Sequence, residues 1–187
     1  MAAKSKAKSK RKPAKAAKPA KKGSKPAKKK VRAVPEGYTT ATPYLVIRGA
    51  KDAIEFYKKA FGAKVRGAMP GPGGLLMHAE MTIGNSILMM CDEMPQMKYW
   101  LSPHALNGTT AAVHLYVDDA DALFAQAQAA GAQVSMPLMD AFWGDRFGKL
   151  RDPYGHEWTV ATHQHDYTPE EMKRNAEAFF AQFQQQK

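Results

Sequence analysis

YLVIRGAKDAIEFYKKAFGAKV, residues 44–65, recurs in outline as VHLYVDDADALFAQAQAAGAQV at residues 113–134. Laid side by side, Asp52 faces Asp121, Ala53 faces Ala122, Ile54 faces Leu123, Gly62-Ala63 faces Gly131-Ala132, and Val65 faces Val134. Each copy reads as a strand, a tight acidic turn, an amphipathic helix closed by Gly, and a second strand. A strand–helix–strand unit repeated within one domain-sized stretch points to paired modules, and such pairs often enclose a cleft.

Outward from the repeat, Thr42 to Arg48 alternates, with Leu45 and Ile47 on one face and Tyr44, Val46 and Arg48 on the other. Residues 51–61 place Ala53, Ile54, Tyr57, Ala60 and Phe61 on one helical stripe, with Lys51, Glu55, Lys58 and Lys59 outside it. Strands are expected at about 64–69, then 75–83 after Pro70-Gly71-Pro72-Gly73-Gly74, then 86–91 after the hairpin pair Gly84-Asn85. The second unit repeats this: strand 111–117, helix 120–130, and strands 132–138, 146–151 and 156–162, the last two joined by Asp152-Pro153-Tyr154-Gly155. The reading is an α+β chain of two βαβββ modules forming an eight-stranded curved trough. Module one covers 38–94 and module two 110–163. The linker 92–109 carries turn and loop chemistry throughout (Pro95, Pro103, Asn107-Gly108), and a C-terminal helix runs over 168–186, opened by Thr168, Pro169 and Glu171 as a capping box.

Composition separates a tail, 1–35, from a domain, 36–187. Residues 1–33 hold fifteen Lys/Arg and no acid, against 13 basic and 17 acidic residues in the remainder, so the tail is formally +15 and the rest −4, which together give the net +11. Rich in Lys, Ala and Pro, with no large apolar residue between Met1 and Val31, the tail reads as disordered. Its composition resembles histone-like tails. Lys4, Lys6, Lys8, Lys10, Arg11, Lys12, Lys21, Lys22, Lys28, Lys29 and Lys30 could neutralise phosphates of nucleic acid or another polyanion without reading base edges. Its alternative role is a solvated charge run. Cys91 is the single cysteine, which excludes an internal disulfide framework and fits a cytoplasmic protein. No apolar run is long enough for a membrane helix.

The modules, with AIEFYKKAFGA in the first, HAEMTIGNSILMMCDE at 78–93, and GDRFGKLRDPYGHEWTVATH in the second, resemble the vicinal oxygen chelate superfamily of glyoxalases, bleomycin-resistance proteins and dioxygenases. They look most like its PhnB-like branch over about 36–175. The resemblance implies a homodimer and a small organic ligand in an apolar trough. Metal-dependent relatives hold a divalent ion by His, Gln or Glu on four strands. Carried over, those positions fall at Thr42, at Leu88 or Met89, at Ala112 and at Thr159. None offers the imidazole, thiolate or carboxylate that a transition metal prefers, so no cofactor is expected.

Tyr44, Met89, His114, Tyr116, Trp143, Arg146 and Thr159 are the expected ligand contacts, and Phe142 to Phe147 is the aromatic stretch suited to a planar or anionic molecule. In the alternative, Trp143 and Phe147 complete the core and Arg146 pairs with Asp145 or Asp152. His78, Glu80 and His114 are the candidate catalytic residues. As displaced ligands they would serve a metal-dependent lyase, isomerase or dioxygenase; otherwise His78 and Glu80 make cross-strand or subunit contacts and His114 forms a pocket wall. His163-Gln164-His165 reads as a solvent-exposed accident, His156 as a support of its hairpin, and Cys91 as a buried thiol. Binding or sequestration is the favoured function. The enzyme reading and a nucleic-acid role through the tail are the alternatives.

Overall fold

The computed structural model describes residues 31–184, so the readings of the tail before Val31 lie outside the described residues. The first module comprises β1 (Tyr44–Ile47), α1 (Ala50–Phe61), β2 (Lys64–Pro70), β3 (Leu76–Ile83) and β4 (Ser86–Asp92). A short α2 (Pro103–Leu106) precedes the second module: β5 (Ala112–Tyr116), α3 (Ala120–Ala130), β6 (Gln133–Asp140), β7 (Asp145–Arg151) and β8 (Glu157–His163). Helix α4 (Pro169–Gln184) follows, entered through the expected box, with Thr168 N donating to Glu171 and Glu171 N to Thr168 Oγ1.

The strands form two four-stranded sheets, β1-β4-β3-β2 and β5-β8-β7-β6, with no pairing between the sheets among the described residues. In each sheet the first and last strands run parallel and the others antiparallel. A parallel pair needs a crossover, and the helix of each module supplies it.

Helix α1 follows its sequence pattern. Ala50, Ala53, Ile54, Tyr57, Ala60 and Phe61 are buried, while Lys51, Glu55, Lys58 and Lys59 are exposed. Gly62 and Gly131 end α1 and α3 at φ 62° and 117°, a region in which a Cβ is strained. The helices differ by one residue, 12 against 11. The ungapped repeat therefore holds at their C-terminal ends and slips by one before them. Ala50 and Ala120 open the two helices, and Tyr44 and His114 take corresponding places.

The core joins the modules. Helices α1 and α3 pack together, and Gln126 on α3 donates to the carbonyls of Lys59 and Ala60. Trp158 on β8 is fully buried, its ring 4.4 Å from Phe61 and 5.2 Å from Tyr57. Asp152, also buried, accepts from Tyr57 Oη at 2.8 Å, Trp158 Nε1 at 2.9 Å, and the backbone N–H groups of Tyr154 and His156. A buried carboxylate so enclosed satisfies donors that apolar neighbours would leave costly.

One reading is corrected and another extended. The linker is not loop throughout: Ser102 caps α2, whose Pro103 sits in the first turn. His156 does more than support its own hairpin, because its Nε2 lies 3.2 Å from the Val46 carbonyl oxygen in the other module.

Candidate functional site

Residues facing away from the helices form two hydrogen-bonded groups, one on each sheet. On the second sheet, His114, Thr159 and Lys149 share one row and Tyr116, Ala161 and Phe147 the next. His114 Nδ1 lies 2.6 Å from Thr159 Oγ1, its ring 4.4 Å from Tyr116 and stacked 6.2 Å from Phe147. Burial lowers the His114 pKa, so the ring is neutral at neutral pH.

Asp145 anchors this group. Only 2 % exposed, it accepts from Tyr116 Oη at 2.9 Å and Trp143 Nε1 at 2.8 Å, and bonds His163 Nδ1 at 2.7 Å. Burial alone would raise its pKa; the bonds from His163, Tyr116 and Trp143 outweigh that and hold it below the usual carboxylate range. His163 also contacts Asp166 at 3.0 Å, and its pKa is raised by Asp145 first and Asp166 second. An ionised carboxylate thus fixes a phenol, an indole and an imidazole on one surface. The sequence reading gave Asp145 only as a possible partner of Arg146, and gave His163 no role beyond a solvent-exposed one. The signal was strand pairing, since Asp145 and His163 are direct cross-strand partners.

On the first sheet, Tyr44, Met89 and Glu80 share a row. Tyr44 Oη lies 3.0 Å from His78 Nδ1, and His78 Nε2 lies 3.0 Å from Glu80 Oε1. The Glu80 pKa is lowered by hydrogen bonds from Tyr38 and His78, with Arg66 adding a nearby positive charge. The register is now fixed: Met89 stands beside Tyr44 while Leu88 is in the core, 3 % exposed.

Arg146 does not join either group. It pairs with Asp121 at 2.8 Å and Asp140 at 3.3 Å, rather than with Asp145 or Asp152. Trp143 and Phe147 are half-buried in the Asp145 group, 5.2 Å apart edge to face. Cys91 is 4 % exposed, as read.

Residues 39–160 match the family model for the Glyoxalase/Bleomycin resistance protein/Dioxygenase superfamily. The chain belongs to this superfamily. It is 45% identical over 121 residues to the protein Rv0887c of Mycobacterium tuberculosis (strain ATCC 25618 / H37Rv), covering 64% of this chain and 71% of that one. Protein PA1353 from Pseudomonas aeruginosa superposes with a TM-score of 0.55 at 27% identity, covering 68% of this chain and 99% of that chain. The PhnB protein from Bacillus cereus shares the fold, with a TM-score of 0.53 at 20% identity over 66% of this chain and 99% of that chain.

For the metal of the glyoxalase/dioxygenase superfamily, the four carried-over positions supply Thr42, Met89, Ala112 and Thr159. Thr42 Oγ1 donates to the Thr39 carbonyl and Thr159 Oγ1 is engaged by His114. One thioether, two engaged hydroxyls and a methyl group do not fit a divalent transition ion. The displaced set is divided as well, His78 and Glu80 bonded on the first sheet and His114 on the second. Among the described residues no group of three or more His, Cys, Asp or Glu is placed to hold a metal, and no helix is long and apolar enough to cross a membrane.

Proposed function

We propose that this superfamily member binds a small planar organic molecule against the second sheet, without an ion at the inherited positions, and works as a cytoplasmic homodimer. The observation that carries the reading is the surface of His114, Tyr116, Trp143 and Phe147 held by the ionised Asp145. Its rings supply flat contact area, and the neutral imidazole supplies a hydrogen-bonding edge, the mixture that ligand sites use. Because the carboxylate fixes the Tyr116 hydroxyl and the Trp143 N–H in place, little side-chain freedom is left to lose on binding. Sequestration needs no more than this. Residues 1–33, by charge alone, would add a segment that contacts polyanions.

A thermal-shift and fluorescence screen of planar aromatic compounds tests the reading. Hits should bind Trp143→Ala more weakly by about 2 kcal/mol, the scale of an anchoring aromatic. Equal binding by parent and variant would place the ligand elsewhere. Elemental analysis after native purification tests the metal-free part: about one metal per chain, lost in Glu80→Ala/His114→Ala, would overturn it in favour of the displaced-ligand enzyme.

A further inference from the structure

The first sheet carries a cavity that the second-sheet reading does not use. The segment after β4 folds back over the sheet, and a space of about 400 Å³ lies between it and β1, β3 and β4, with Tyr44, Met77, Cys91, Met94, Met97 and Trp100 among its lining residues. That volume falls within the roughly 300–1,000 Å³ of small-molecule sites. Tyr44 and Trp100 meet edge to face, 5.5 Å apart, and thioethers make favourable contacts with ring edges. The Trp100 N–H is already given to Cys91 Sγ at 3.1 Å, so the indole offers a ligand its ring and no donor.

The hydrogen bond that remains has a fixed direction. Glu80 is ionised and only accepts, so in a neutral His78 the proton sits on Nε2, 3.0 Å from the carboxylate. Nδ1 is then an acceptor, and the Tyr44 hydroxyl, 3.0 Å away, donates to it. With its proton committed to His78, the Tyr44 oxygen can act only as an acceptor, and the Cys91 thiol stands within hydrogen-bonding reach of it. Burial, and then Cys91, push the Tyr44 pKa up to about 12, which keeps the phenol protonated and the direction unchanged.

We infer that this cavity binds a small uncharged aromatic molecule bearing a hydroxyl group, whose O–H donates to the Tyr44 oxygen while its ring lies among Trp100 and the methionines. The Glu80–His78–Tyr44 relay sets this preference for a donor over an acceptor. The cavity shares no lining residue with the Asp145 group.

The probes are 1-naphthol and 1-methoxynaphthalene, equal in ring system and differing in the donor, titrated into the full chain at about pH 8. The parent should bind 1-naphthol about tenfold more tightly, the worth of one net hydrogen bond. Tyr44→Phe should bind both probes alike, and Met97→Glu, a change at a half-exposed rim position, should weaken both by tenfold or more. Absence of binding, equal binding of the two probes by the parent, or a preference that survives in Tyr44→Phe would overturn the inference. So would a loss of 1-naphthol binding in Trp143→Ala with none in Met97→Glu, which would assign the probe to the second sheet.

Discussion

Across the first sheet one row runs Tyr44, Met89, Glu80; the corresponding row across the second runs His114, Thr159, Lys149. The next pair of places holds Cys91 in one sheet and Ala161 in the other, and the places after those hold Asp92 and Thr162. The backbone plan is shared, yet almost every outward side chain has been exchanged. What the helices cover stays apolar because it must pack. What they leave open is free to vary, so the first sheet assembles a carboxylate–imidazole–phenol relay from β3 to β1 and the second a buried carboxylate under an aromatic surface. Shared architecture therefore fixes where chemistry can stand and says little about which chemistry it is.

The largest asymmetry lies in the core, where Trp158 occupies the place that Leu88 fills in the first sheet. Trp158 meets Tyr57 and Phe61 of the other module and also donates to Asp152, so its loss removes packing and a satisfied donor together. Trp158→Ala should cost about 3–5 kcal/mol in chemical denaturation. Leu88→Ala should cost less, about 2–3 kcal/mol, because it removes fewer buried atoms and breaks no hydrogen bond. Equal costs would remove Trp158 from its role as the wedge between modules.

The helix entrances differ in the same direction. Asp92, buried, accepts from the backbone N–H groups of Gly49, Ala50 and Leu76, whereas Thr162 accepts only from Ala120 while donating to Val117. Asp92→Ala leaves three donors without their acceptor and should cost about 3 kcal/mol. Thr162→Val leaves one and should cost about 1 kcal/mol. A matched pair of unfolding curves would break the comparison if the two losses coincide.

Much of this was readable in the residues. Alternation in 44–47, the helical stripes and the two glycine caps are local signals, and each is set by a physical demand of its own segment. The internal repeat supplied the pairing of the modules. The Asp145 group was hidden because its members, Tyr116, Trp143, Asp145 and His163, meet only through strand pairing and a turn. Arg146 was misread for a related reason: its neighbours in sequence include Asp145, but β7 carries alternate side chains to opposite faces, and the guanidinium reaches Asp121 and Asp140. Short-range neighbours along a strand are poor guides to partners.

The charged group on the second sheet gives that sheet a pH dependence. The folded-state pKa of Asp145 lies below its unfolded value, so its contribution is present above about pH 4 and lost as pH falls through the folded value. The His163 pKa is raised, so its contribution is complete below about 6.5 and lost as pH rises through the folded value. His114 and His156, both lowered by burial, act oppositely and withdraw stability as pH falls below about 6.5. Melting temperature measured from pH 5 to 9 should therefore fall on both sides. His163→Asn should flatten the alkaline side alone, and His114→Asn should reduce the acid-side loss. An alkaline slope unchanged in His163→Asn would mean that the Asp145–His163 bond does not outlast thermal motion.

The smallest effect on stability is expected from the region least like either module. Residues 1–33 carry fifteen basic residues and no acid, and Val31, at their end, is 90% exposed. A segment with so little apolar surface adds nothing to a core, so its deletion should leave the melting temperature unchanged within about 1 °C. Its electrostatic effect should be complete, because what remains is formally −4 and repels a phosphate backbone. Gel-shift titrations at two salt concentrations separate the possibilities. Binding by the full chain that falls steeply with salt, ignores sequence and vanishes on truncation would assign polyanion contact to the tail. Equal binding by the truncated protein would move that contact onto the modules, where the open sheet faces would need a basic surface that the charge balance does not supply.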